Sequence, residues 1–113
     1  MKVSELSGAL LDYWVARANG WTRKAGAWVD SQGVEQYAPA VCYDPSHAWE
    51  LAGPIIERES IDLVAWDAQM DMAWCGARKV GDRTIKTFGP TPRIAAMRSF
   101  VASKFGDTVP DEQ

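Results

Sequence analysis

Glycine and proline punctuate this chain, and their positions fix most of what it can fold into. Thr91-Pro92 places a capping hydroxyl before a proline at the first helical position. Ile94, Met97, Val101 and Phe105 follow at helical spacing, and Gly106 ends the run. At the other end, Ser4 caps a helix expected from about Glu5 to Ala18, with Leu6, Leu10, Tyr13 and Trp14 on one stripe and Asn19-Gly20 as its stop.

Between these helices the pattern shortens. After the basic pair Arg23-Lys24, Ala27-Trp28-Val29 reads as a strand that turns through Ser31-Gln32-Gly33 and returns from Val34 to Tyr37. Pro39 restricts that return to a sheet edge. Asp44-Pro45 repeats the cap-then-proline signal ahead of Trp49 and Leu51, and Gly53-Pro54 predicts a break into two short helical pieces. Ile61 to Trp66 alternates like a strand, a second run extends from about Asp71 to Val80, and Gly81-Asp82 turns it into Arg83 to Lys86.

The order predicts an α+β fold in one layered domain, residues 1–107. A meander of about three antiparallel strands plus a short hairpin is covered by terminal helices and a broken middle helix. Residues 108–113 read as a mobile tail.

Composition narrows the function classes. With 47% hydrophobic and 24% charged residues the chain is neither disordered nor membrane-spanning, and Glu5 and Asp12 interrupt any signal-like apolar core. A host-cytoplasmic setting is expected, with Cys42 and Cys75 as free thiols. A net charge of −3 disfavours polyanions, so nucleic acid is not an expected partner.

One histidine, His47, cannot complete a metal set, and no nucleophile motif or phosphate-loop glycine pattern is present. No cofactor, metal or catalytic residue is therefore assigned. Asp62, Asp67, Asp71 and Asp82 fall mostly at turns, where turn chemistry accounts for them. Arg78, Lys79, Arg83 and Lys86 flank one hairpin, where they either meet phosphates or guard an edge.

Six tryptophans in 113 residues exceed what a small core easily hides. They point to a pocket, an interface with a host protein, or a homodimer. Helix starts at Gly53-Pro54 and Thr91-Pro92 favour anions, and tryptophan faces stack planar rings. Trp21, Trp49, Gly53, Thr91 and Arg98 are accordingly the candidate ligand-binding residues, for a small anionic, nucleotide-like ligand bound without turnover. The same tryptophans would serve a protein-interaction module that inhibits or adapts a host protein.

Three blocks carry a family resemblance: Asp12-Tyr13-Trp14-Val15-Ala16 with Gly20-Trp21, Tyr43 to Trp49 leading to Gly53 through Glu59, and Gly89 to Arg98 followed by Phe100 to Asp107. In this order they resemble the phage NinX family of small proteins. The chain departs from the family pattern at Ala52, Ser60 and Arg93. The resemblance implies a phage or prophage origin and transfers no catalytic residue; the binding hypothesis adds that sequestering a host signal would serve anti-defence.

Overall fold

The computed structural model describes residues 1–67 and 72–110. Its centre is the helix that Thr91-Pro92 announces. Helix α3, numbered third in chain order, spans Pro92–Phe105, and Thr91 Oγ1 accepts the Ile94 N–H at 3.2 Å. Gly106 follows it, its N–H bonded to the Ala102 carbonyl at 2.8 Å. Ala95 through Ala102 are buried without interruption, so the helix has no solvent stripe over that stretch and needs cover on every side.

One side of α3 rests on an antiparallel meander of β4, Asp62–Ala65, β5, Trp74–Val80, and β6, Arg83–Gly89, in the order β4-β5-β6. Gly81-Asp82 makes the two-residue turn, with Val80 paired to Arg83 and Gly81 at φ +61°. Gly76 and Gly89 let the helix backbone touch the sheet. A Cβ on Gly76 would lie 2.6 Å from the Ala95 carbonyl oxygen, and one on Gly89 would lie 2.8 Å from the Ala95 nitrogen. Thr87 adds a hydroxyl bond to the Ala95 carbonyl at 2.8 Å.

Helix α1, Gly8–Ala18, covers the other side of α3. The terminal helices, expected to cover the sheet, do so in series: α3 lies on the meander and α1 packs on α3. Leu11, Trp14 and Val15 bury against the far side of α3, which would otherwise meet water. The expected start at Glu5 is corrected: Val3–Glu5 is a separate 3-10 turn, Ser4 caps nothing, and α1 begins after an extended Ser7. That arrangement drops Val3 and Leu6 into the core.

The expected hairpin has a third strand. In order, β1, Thr22–Lys24, β2, Ala27–Val29, and β3, Glu35–Tyr37, form a second antiparallel sheet. Ala25 at φ +52° and Gly26 at φ +83° make the turn that pairs Arg23 with Trp28. A non-glycine residue in a left-handed turn hid this strand from sequence reading. β3 is an edge, as Pro39 requires.

Helix α2, Trp49–Glu59, runs unbroken through Pro54, which corrects the expected two-piece helix. The missing proline N–H deprives only the Glu50 carbonyl four residues back, and both residues are exposed, so water can satisfy it. Asp44-Pro45 opens a single turn, with His47 and Ala48 N–H groups on the Asp44 carbonyl, and α2 starts after it.

At the other end of α2, Glu59 ties the helix to the sheet through Arg78, and Arg58 bonds it as well. Burial pushes the Glu59 carboxyl up, but the Arg58 hydrogen bond and the Arg78 charge outweigh this and hold it below its ordinary 4.5. A depressed folded-state pKa gives stability that is present above 4.5 and lost as pH falls through the lower folded value. Urea midpoints should therefore drop as the pH falls below 4.5, and Glu59→Gln should flatten that part of the profile; an unchanged slope would show the pair contributes nothing.

The tail expected to be mobile is docked where it is described. Thr108 bridges to Lys2, Val109 exchanges two backbone bonds with Met1 at 2.8 and 2.9 Å, and Val109 is buried. Residues 111–113 lie outside the described residues.

Candidate functional site

Joining the two chain ends creates a cavity of about 490 Å³. Its walls are the 3-10 turn at Val3, the edge strand β6 at Lys86 and Phe88, the middle of α3 at Arg98, and Met72. Lys2 and Lys86 bring exposed ammonium groups to it, and Asp107 brings one carboxylate. The Phe88 ring lies 5.5 Å from that of Trp66, so an aromatic pair flanks the cationic rim.

Arg98 lines this cavity but is 5% exposed. Its Nε donates to the Leu6 carbonyl at 2.8 Å and its Nη1 to the Phe88 carbonyl at 2.7 Å. The guanidinium thus fastens the 3-10 turn and β6 to α3, setting the cavity walls with two of its donors. It neither faces solvent nor simply projects as a counter-charge.

The other residues singled out by sequence fall elsewhere. Trp49 is 47% exposed, and the Arg93 guanidinium lies 5.2 Å from its ring centroid. This contact joins the first turns of α2 and α3. The Thr91 hydroxyl is engaged in the cap. Gly53 sits inside the continuous α2 with open space beside it, so it presents no helix start. Trp21 packs on Tyr43 and Tyr37 at 5.1 and 5.8 Å, a cluster separate from the Trp49 contact.

Lys2, Val3 and Phe88 carry no local sequence signal for this cavity, because it exists only once the termini meet. Lys86 stood in the basic hairpin, which the structure divides. Arg78 turns inward to Glu59 and Ser103, whereas Lys79, Arg83 and Lys86 are exposed. Cys75 is buried, and burial pushes its thiol up against the opposing effect of Lys86. Among the described residues no three His, Cys, Asp or Glu side chains gather as a metal site, and no helix is long and apolar enough to cross a membrane.

A family model described as NinX of bacteriophage P22 matches residues 2–104, nearly the whole chain. The chain belongs to this phage NinX family. The comparison with curated proteins found no match. The NinX match takes in both sheets, all but the last residue of α3, and Lys2, Lys86, Phe88 and Arg98 of the cavity.

Proposed function

We propose that this NinX-family protein is a non-catalytic binder that sequesters a small anionic, nucleotide-like host signal in the host bacterial cytoplasm. The observation that carries this reading is the 490 Å³ cavity with Lys2 and Lys86 at its rim and Phe88 in its wall. Its volume suits a small ligand, its lysines suit phosphate, and the Phe88 and Trp66 rings suit a planar base.

A thermal-shift screen of nucleotides and cyclic dinucleotides, followed by calorimetry on the hits, tests it. Lys2→Ala combined with Lys86→Ala should weaken binding at least about tenfold, the loss of roughly 1.4 kcal/mol, without moving the melting temperature appreciably. No stabilising nucleotide, or equal binding by the double variant, would overturn the assignment.

A second reading is favoured by a different observation. Val64 on β4 and Trp66 directly after it are 50% and 55% exposed, which suits a host protein or a second copy of the chain. The two readings part at Val64→Ser, outside the cavity lining, which should weaken a protein complex or a dimer and leave Lys86-dependent nucleotide binding unchanged.

A further inference from the structure

A second cavity, of about 330 Å³, lies between α1, the first sheet and residues 39–43. It shares no residue with the lysine-rimmed cavity. Asp12 and Tyr13 come from α1, Arg23 and Trp28 from facing positions of β1 and β2, and Cys42 and Tyr43 from the loop.

Three aromatic side chains contribute to this lining, with Tyr13 and Trp28 rings 5.4 Å apart. Tyr43 is fixed by Asn19, which donates to its hydroxyl at 2.9 Å, and burial pushes that hydroxyl up to about 12, so it stays protonated. Asp12 is 7% exposed. Its Oδ1 accepts the Ser46 N–H at 2.8 Å, and among the described residues no lysine or arginine forms an ion pair with it. Burial pushes the Asp12 carboxyl up, opposed by hydrogen bonds from Ser46 and by the His47 charge, and a cation in the space beside it and the aromatic faces would favour its ionised form.

The chain itself sets one guanidinium against the aromatic part of this lining. The Arg23 guanidinium sits over the Trp28 ring, 4.6 Å from its centroid, and Nη1 makes one hydrogen bond, 3.2 Å long, to the Gly26 carbonyl. Arg23 is an exposed residue at a strand edge, so the chain can release it by a side-chain rotation.

We propose that this cleft is a receptor for a small planar organic cation of the guanidinium class, stacked on Trp28 with its charge toward Asp12, and that Arg23 is the intramolecular occupant it displaces. The site stands independently of the anion-binding cavity. Its ligand is opposite in charge, and its residues lie on other elements.

Agmatine is the probe, titrated calorimetrically into the full-length protein and its variants. Arg23→Ala removes the internal competitor and should bind agmatine about tenfold more tightly than the wild type, within the range of a desolvated cation–aromatic contact. Asp12→Asn keeps an oxygen for the Ser46 N–H but removes the charge, and should weaken binding about tenfold. Ala9→Trp fills the cleft from an exposed position on α1 and should abolish binding while preserving the fold.

Cys42 reports the location, because it lines the cleft and is exposed while Cys75 is buried. Agmatine should slow Cys42 alkylation by iodoacetamide in the wild type and not in Ala9→Trp. The proposal is overturned if Arg23→Ala binds no more tightly than the wild type, if Ala9→Trp binds normally, or if adenosine monophosphate rather than agmatine protects Cys42 in an Arg23-dependent way. Should Asp12→Asn not fold, the Arg23 and Ala9 variants still decide.

Discussion

Gly76→Ala should destabilise the protein by about 3 kcal/mol or more, at the upper end of what an added methyl costs in a packed core. The new Cβ would stand 2.6 Å from the Ala95 carbonyl oxygen and 2.8 Å from its carbon. Both are backbone atoms of α3, so no rotamer change relieves the overlap; the helix must lift off β5 or the strand must bend. Lifting α3 would also stretch the 2.8 Å Thr87 hydroxyl bond to the same carbonyl. Gly53→Ala is the matched control. It lies inside α2 with nothing within 4 Å of its would-be Cβ. Alanine should gain roughly 0.5–1 kcal/mol there through helix propensity. Urea denaturation of the two variants measures both effects, and a Gly76→Ala midpoint equal to wild type would disprove the direct seating of α3 on the sheet.

That seating separates what this sequence discloses from what it conceals. The start of α3 at Thr91-Pro92, its stop at Gly106 and the Gly81-Asp82 turn were legible because each depends on a few adjacent residues and one backbone preference. α2 misled because Gly53-Pro54 carries a strong breaking signal, whereas exposure of Glu50 and Pro54 makes the lost hydrogen bond inexpensive. β1 escaped because Ala25 takes a left-handed conformation that the second sheet imposes.

The candidate sites were less legible still. Lys2, Lys86 and Phe88 meet only after Met1 and Val109 pair across the whole length of the chain, and Asp12 reaches the Arg23 cleft only through packing of α1 on the loop after β3. Arg98, named from sequence as a ligand-binding candidate, lines the lysine-rimmed cavity. Its task was not visible, since it depends on a carbonyl ninety-two residues away.

That task makes Arg98→Ala the second large effect. Truncation would leave the Leu6 and Phe88 carbonyls without their bonds at 2.8 and 2.7 Å, and would open a void beside Val3 and Ala102. Losing two charge-assisted bonds at a buried site costs about 3 kcal/mol, and for a domain of this size the melting temperature should fall by roughly 10–20 °C. Arg98→Lys should recover only part of this, because a single ammonium cannot reproduce a planar fork aimed at two carbonyls on different elements. A side chain that only met a ligand, the role Arg98 is given from sequence, would leave stability unchanged when truncated. A wild-type melting temperature in Arg98→Ala would restore that view. The distinction governs how binding data are read: ligand loss in Arg98→Ala would follow from a collapsed wall, whereas loss in the exposed Lys2 and Lys86 variants at unchanged melting temperature would report contact with the ligand itself.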